Sequence, residues 1–294
     1  MFVPAFGQAC GMPTTPRVQP RTVVTVAAAL GWLVLGIAAP WHGAGDPHSR
    51  AVALTIVVWG WALWTAGAVA LLVPSPVSLT TLHGAAPLLL ACAAVAASPA
   101  GIFGAILACI VVFSSLFADT MVQGSAYGDE TRFALRTPVP AMAPAVVAWA
   151  AQSATLIGGS LLLASRQWVA GAVVVALGLV LARTVPQRLH RLARRWLVIV
   201  PAGIVVHDHT VLGETFMVPT SKLRDVRTVA ATGQAADLTG GVLGPRIEIA
   251  MADADKVVLS RPTARLLGTT EALHVLSFTF APRRTAAAVA AIRR

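Results

Sequence analysis

Long apolar runs occupy most of the first 182 residues and are separated by short polar stretches. A run of about twenty apolar residues is long enough to cross a bilayer as a helix. The pattern therefore predicts an α-helical membrane bundle of about six transmembrane helices at 21–182, preceded by a disordered tail at 1–20. The predicted spans are Val23–Pro40, Ala51–Val73, Val77–Ala97, Gly101–Ala118, Met142–Ala164 and Gln167–Ala182.

From Trp196 the apolar stretches become short and alternate with polar residues, which is the period of a β-strand. The predicted strands are Trp196–Val200, Gly203–His207, Thr215–Pro219, Leu223–Val229, Pro245–Met251, Lys256–Ser260 and Ala272–Phe280. Pro282 can take the first position of a helix, and the alanine-rich segment Arg283–Arg294 predicts that closing helix. We expect a small β-rich domain at 196–294 that folds by itself. Its core is expected to contain Val198, Val205, Ile247, Ile249, Val258 and Phe278.

The composition is that of a membrane protein. Charged residues make up 12% of the chain and the mean hydropathy is +0.75, whereas a soluble domain carries about 25% charged residues. The cysteines Cys10, Cys92 and Cys109 have no metal-binding spacing. These features exclude a disordered chain and a disulfide scaffold, and they argue against a soluble enzyme.

Arginines in the short loops predict the orientation, because cytoplasmic loops are enriched in Lys and Arg. With six spans, nine arginines fall on one side of the membrane and two on the other. The nine are Arg17, Arg21, Arg132, Arg136, Arg183, Arg188, Arg191, Arg194 and Arg195, and the two are Arg50 and Arg166. This asymmetry predicts a multi-pass protein of the inner (plasma) membrane with both termini and the 119–141 loop in the cytoplasm.

A basic juxtamembrane linker is predicted at 183–195, where five arginines fall within thirteen residues. Anionic headgroups attract such a segment by roughly 1 kcal/mol per basic residue near the surface. Because the basic run abuts an apolar segment, the net charge of +10 indicates the lipid bilayer and not a nucleic acid as the partner. Anionic lipid headgroups and an unidentified membrane or cytoplasmic protein are the expected partners.

The 119–141 loop is the most distinctive polar stretch of the membrane half. Its charged residues suit a docking network, a binding site or an active site. Carboxylates beside arginines are compatible with phosphate or metal chemistry, but no recognisable nucleophile accompanies them. We expect the loop to dock on the basic run. The candidate interaction residues are therefore Asp129, Glu130, Arg132, Arg136, Arg188, Arg191, Arg194 and Arg195.

The sequence predicts no catalytic, cofactor-binding or metal site. The spans have no Asp, Glu, Lys or Arg near their centres, although ion-coupled transporters usually need such groups. His83, within a span, is interpreted as a packing residue. His207 and His209 would point to one face of a strand as two metal ligands would, but a polar turn is the favoured interpretation. The chain has no Walker loop and no other recognisable catalytic motif.

The run Trp196–Asp208 contains a Pro-Ala-Gly hairpin, and Val218–Val226 reads Val-Pro-Thr-Ser-Lys-Leu-Arg-Asp-Val. This order, followed by paired strands and a final helix, resembles the bacterial pleckstrin-homology-like (bPH) domain over roughly 195–294. In that family a Leu-Thr-Pro-x-Gly-type hairpin precedes an Ile/Val-Pro-x-x-x-Ile-x-x-Val strand. The segments 231–244 and 261–271 depart from the family pattern. The loop around Ser125–Pro138 resembles a stretch of uncharacterised actinobacterial polytopic membrane proteins, and neither resemblance transfers a functional residue to this chain.

These features together predict an integral membrane binding or scaffold protein that is not an enzyme. Its PH-like domain would engage a protein partner or the membrane surface through an edge strand or a basic face. A transporter or channel subunit with a regulatory domain is one alternative, and a charge facing the bundle interior would favour it. A membrane enzyme at the 119–141 loop is another, and a cleft joining Asp129, Glu130 and Arg132 to a cavity would favour it.

Overall fold

The computed structural model describes residues 19–230, 233–266, 268 and 272–294. Of the tail predicted at 1–20, residues 1–18 lie outside the described residues, and Pro20 already belongs to the first helix. The disorder of the tail therefore stays a prediction.

Apolar helices form the N-terminal part of the fold, which we call the bundle. They are α1 (Pro20–Ala38), α2 (Trp41–Gly45), α3 (Arg50–Leu72), α4 (Pro76–Val95), α5 (Pro99–Val112), α6 (Ser115–Gln123), α7 (Val139–Ser153), α8 (Gly159–Ala164) and α9 (Trp168–Ala193). A π-helical turn at Ala154–Gly158 joins α7 and α8 into one continuous helix.

The number of possible membrane crossings agrees with the sequence pattern. Among the described residues, α1, α3, α4, the continuous helix α7–α8 and α9 are each long and apolar enough to cross a membrane. Helices α5 and α6 add a sixth crossing if they form one span, although they are bent by 67° with respect to each other. The prediction of about six apolar helices in the N-terminal part is thus confirmed.

Serine side chains determine where three of the helices begin. The hydroxyls of Ser75, Ser98 and Ser114 each accept a hydrogen bond from a backbone N–H in the first turn of α4, α5 and α6. These bonds satisfy a donor that has no partner within the helix. The cap at Ser114 fixes the point where the chain turns from α5 into α6.

Tryptophans hold α1 against α3. The Trp32 indole donates to the Trp64 carbonyl and the Trp64 indole donates to the Trp32 carbonyl, both at 2.8 Å. Gly67 makes room for this pair, because a Cβ atom there would lie 1.9 Å from the Trp32 ring. Trp64, which lies in the second predicted span, is therefore part of the packing of the bundle.

Helix α9 continues through most of the segment predicted as a linker. The last span was expected to end at Ala182, yet α9 runs to Ala193. Val185 is buried and Leu189 and Leu192 are half-buried, so one apolar face persists at helical spacing. Arginine is also a good helix former, and the basic run extends the last membrane helix.

Two four-stranded sheets and two short helices form the other part of the fold, and we call them the β-module. Their elements are β1 (Thr131–Ala134), β2 (Arg195–Val200), β3 (Gly203–Asp208), β4 (Phe216–Pro219), β5 (Leu223–Val229), β6 (Ala236–Asp237), β7 (Arg246–Val258), α10 (Arg261–Leu266), β8 (Ala272–Phe280) and α11 (Thr285–Ile292). The sheet orders are β1-β2-β3-β4 and β5-β7-β8-β6. Helix α11 packs on β5 and β7, which confirms a β-rich part closed by a C-terminal helix.

One predicted hairpin is wrong. The segments Pro245–Met251 and Lys256–Ser260 were expected to be two strands joined by a turn, but β7 is a single strand of 13 residues. Strand β8 pairs with both ends of β7, and the register shifts between Ala250 and Asp255. The irregular residues therefore form a bulge within one strand. The segment 261–271 was expected to be irregular, but its first six residues form α10.

The first strand of the module comes from the membrane half. Strand β1 lies in the 119–141 loop and pairs antiparallel with β2, with Thr131 opposite Ile199 and Ala134 opposite Trp196. The Leu135 N–H then donates to the Arg195 carbonyl at 2.9 Å. The first sheet of the β-module is thus completed by a strand that precedes the last two membrane helices in the chain.

Strands β2 and β3 are buried on both faces. Trp196 and Val198 pack with core residues of the bundle, whereas Leu197, Ile204 and Val206 point into the core of the module. The first sheet is therefore enclosed between the bundle and the second sheet.

The expected core is corrected at three positions. Val198 and Val205 contact the bundle and not the module's own core. Val257 and not Val258 lies in the module core, because the side-chain alternation of Ile247, Ile249 and Met251 continues to Val257 beyond the bulge. Ile247, Ile249 and Phe278 lie in the core as expected.

Candidate functional site

A buried ion pair lies where β2 leaves the bundle. The Arg195 guanidinium donates from Nε and Nη2 to the two carboxylate oxygens of Asp208, at 2.8 and 2.6 Å. It also donates to the carbonyls of Arg136, at 2.7 Å, and Thr239, at 3.2 Å. Arg195 is 2% exposed, so its role is to tie β2, β3 and two loops together. It is not available to lipid headgroups.

The polar residues of the 119–141 loop mostly bond to each other. The Gln123 side chain donates to the Glu130 carbonyl at 2.9 Å and accepts from the Arg132 N–H at 2.8 Å. Arg132 pairs with Glu130 at 2.6 Å and donates to Ser125 at 2.9 Å. Its guanidinium lies 5.4 Å from the ring centroid of Trp196, close enough for a cation–π contact. This network orients the start of β1.

Asp119 anchors the end of β1 to α6. One carboxylate oxygen accepts the Ala134 N–H at 2.8 Å, and the other lies 3.7 Å from Arg284 Nη1. Asp119 is fully buried. Asp119 therefore joins α6, β1 and the segment before α11. None of these contacts involves the basic run of α9.

The structure does not bring the predicted docking partners together. Arg188, Arg191 and Arg194 are exposed on α9 and Asp129 is exposed in its loop. Within the described residues, no ion pair joins these arginines to Asp129 or Glu130. The expected salt-bridge network between loop and basic run is thus absent from the described part of the chain. Docking is achieved by strand pairing and apolar packing instead.

Arg136 holds a different loop. Its guanidinium donates to the carbonyl of Leu243, at 2.7 Å, and to that of Pro245. These contacts close the segment before β7 over the end of β1. Arg136 is therefore also engaged within the protein.

A cleft of about 270 Å³ opens between the bundle and the β-module. Helix α4 contributes Leu79 and Gly84, α7 contributes Val146 and Trp149, and α9 contributes Leu189 to its largely apolar wall. A second cavity of about 220 Å³ adjoins it and shares Gly84, Trp149 and Leu189. The Trp149 indole donates to the Gly84 carbonyl at 3.2 Å between the two. Together they fall within the roughly 300–1,000 Å³ typical of small-molecule sites.

Few polar groups face this cleft. The His83 ring stacks on Phe113 with centroids 4.5 Å apart, and its Nε2 lies 3.2 Å from the Val112 carbonyl. Arg283 also lines the cleft. Its backbone N–H donates to the Ala134 carbonyl at 2.8 Å, and burial lowers the pKa of its guanidinium. Sequence reasoning missed Arg283, because nothing in the pair Arg283-Arg284 distinguishes the residue that faces the cleft.

The two histidines of β3 pack beside the junction. The His207 ring stacks on Trp196 at 4.7 Å and meets His209 edge-on at 4.4 Å. Burial, with the nearby His209 and Arg194, lowers the pKa of His207 to about 4. Among the described residues, no group of three His, Cys, Asp or Glu side chains is placed to hold a metal ion. His207 is thus a neutral packing residue at pH 7.

Comparisons with protein-family models, with curated proteins and with solved structures find no match to this chain. The geometry of the junction therefore carries the functional argument.

Proposed function

We propose that this chain is a non-enzymatic integral membrane scaffold whose β-module is a PH-like cytoplasmic domain. The PH-like assignment is supported by the architecture of the module. Its two sheets are mainly antiparallel, and a C-terminal helix packs on β5 and β7. The module engages the anionic membrane surface and presents its outer sheet to a protein partner.

The observation that carries the proposal is the junction between the bundle and the module. In the chain, strand β1 lies between the bundle helices α6 and α7, but its hydrogen bonds are made with β2 of the module. The face of β2 with Trp196 and Val198 packs on the helices. A module attached in this way keeps one position relative to the bilayer. That is the property a scaffold needs, and an enzyme or transporter does not require it.

The cytoplasmic location is supported by the charges at the same end of the bundle. Arg21, at the start of α1, and Arg284, before α11, both act electrostatically on Asp119, so the start of α1 and the segment before α11 lie at the same end of the bundle. The exposed arginines Arg188, Arg191 and Arg194 at the end of α9 do not line the cleft, whereas Leu189 and Leu192 do. We propose that these arginines contact anionic headgroups in the cytoplasmic leaflet.

Replacing Arg188, Arg191 and Arg194 together with Gln is expected to release the end of α9 from anionic lipid. Each arginine near such a surface contributes roughly 1 kcal/mol, so three correspond to more than a tenfold effect. In lipid nanodiscs, hydrogen exchange at 183–193 should be about tenfold slower in anionic than in zwitterionic lipid. The triple variant should lose that difference.

Gln replacements at Arg224, Arg265 and Arg294 provide the matched control, because these arginines are exposed on the module. This control should keep the dependence on lipid charge. Equal exchange of the wild-type helix end in both lipids would show that the arginines at the end of α9 do not engage the anionic surface.

A further inference from the structure

One wall of the cleft at the junction is formed by α7, part of a continuous helix that is long and apolar enough to cross a bilayer. No residue of α7 is buried, and Met142 and Val146 of its cleft-lining face are 51% and 59% exposed. Helix α4 packs against α3, α5 and α9, and α7 packs against α9. Between α4 and α7 the Trp149–Gly84 hydrogen bond bridges the gap. An acyl chain from the bilayer can therefore enter between α4 and α7.

Arg283 supplies a cation at the polar end of this cleft. Its guanidinium forms no hydrogen bond or ion pair with any residue that the structure describes. The nearest acid, Asp119, is engaged by Ala134 and lies against Arg284. A cation partly removed from water is unfavourable unless an anion pairs with it. Asp119 acts on Arg283 electrostatically, but no described residue forms a direct hydrogen bond or ion pair with this guanidinium, so a ligand anion can take that place.

The position of Arg283 is fixed by the fold. Its backbone bonds to Ala134 at the end of β1, so the side chain is held where the module meets α4 and α9. The apolar wall of the same cleft includes Leu79 and Leu192. A ligand that pairs with the Arg283 cation and also fills the apolar cleft has an anionic head and an apolar tail.

We propose that this cleft binds a phospholipid of net negative charge. Its phosphate pairs with Arg283, and one acyl chain lies between α4 and α7 past Trp149. A zwitterionic lipid fits less well, because its ammonium group would find Arg283 and Arg284 nearby, and the neighbouring Asp119 carboxylate is fully buried. The site is distinct from Arg188, Arg191 and Arg194, which are exposed and do not line the cleft.

Native mass spectrometry of the full chain in detergent, titrated with phosphatidylglycerol or phosphatidylcholine, tests the proposal. The wild-type chain should retain one phosphatidylglycerol at least tenfold more strongly than phosphatidylcholine. Arg283→Gln should reduce phosphatidylglycerol retention about tenfold and remove the preference, and Arg283→Lys should keep most of it. Gly84→Leu should weaken both lipids, because its side chain would extend from a position where a Cβ lies 3.7 Å from Trp149.

Two matched variants separate this site from general attraction. Arg224→Gln removes one exposed charge from the β-module, and Gly158→Leu adds a leucine where a Cβ would meet nothing within 4 Å. Both should bind phosphatidylglycerol as the wild type does. Equal losses in Arg224→Gln and Arg283→Gln, or no loss in Gly84→Leu, would overturn the proposal, as would equal retention of the two lipids by the wild type. A thermal unfolding midpoint within a few degrees of wild type shows that each variant is folded.

Discussion

Asp208→Leu is expected to destabilise the β-module by roughly 3–5 kcal/mol, the usual cost of leaving one partner of a buried ion pair alone. Arg195 would keep its buried position, 2% exposed, without the carboxylate that accepts two of its hydrogen bonds. Hydrogen exchange in β2 and β3 should accelerate, whereas exchange in α1 and α3 should stay unchanged. The helices serve as an internal reference in the same sample.

The double variant Arg195→Met/Asp208→Leu is the control for this effect. Replacing both members of a buried pair by apolar side chains is often neutral or stabilising, so much of the lost stability should return. Recovery should be incomplete, because the carbonyls of Arg136 and Thr239 would lose their donor. A single variant within 1 kcal/mol of wild type would show that the pair does not hold the junction.

The fragment 196–294 is expected not to fold on its own, in contrast to the expectation from the sequence pattern. It lacks β1 and Arg195, and it exposes the face with Trp196 and Val198 that packs on the bundle. Each such apolar side chain loses roughly 1.5–3 kcal/mol of burial, and a whole domain has only about 5–15 kcal/mol. Circular dichroism and chemical denaturation should show no cooperative transition.

A repaired fragment provides the comparison. Residues 130–136 are joined by a flexible linker to 195–294, and the bundle-facing residues are made polar as Trp196→Thr, Val198→Thr and Val205→Thr. This version restores the edge strand and the buried ion pair and should unfold cooperatively. Cooperative unfolding of the unmodified 196–294 fragment would contradict the structure.

The membrane helices could be predicted from sequence because their signal is local. Each apolar run is long enough to identify a span by itself, and the runs match α1, α3, α4, α7–α8 and α9. Strand β1 could not be predicted, since Thr131–Ala134 is only four residues long and its partner β2 lies more than sixty residues away. Pairing at that separation leaves no periodic signal within the loop.

The orientation of β2 and β3 escaped prediction for a physical reason. Both strands are apolar almost throughout, and a strand buried on both faces has no alternation to fix which side faces which neighbour. Val198 was therefore assigned to the module core, although it contacts the bundle. The apolar sequence of these strands indicates that both faces are covered. It does not indicate that the bundle covers one face and the core of the module the other.

The candidate site was predicted in part. The charged residues of the loop and the basic run were identified, but Arg194 and Arg195 are neighbours in one run and the structure exposes the first and buries the second. The start of β2 separates them, and helix periodicity gives no hint of it. The cleft and Arg283 depend on contacts among α4, α7, α9 and the module, which no local pattern encodes.

Disulfide formation between β1 and β2 in membranes tests most directly whether the module is built onto the bundle. In a chain with Cys10, Cys92 and Cys109 replaced by Ala, Thr131→Cys and Ile199→Cys place two thiols at directly opposed positions. Opposed antiparallel residues have Cα atoms about 4.5–5.5 Å apart, within the range of a disulfide. Thr131→Cys with Val198→Cys is the matched control, because adjacent strand residues point to opposite faces. Mild oxidation should cross-link the first pair almost completely and the second hardly at all; equal cross-linking of both pairs, or of neither, would contradict this structure.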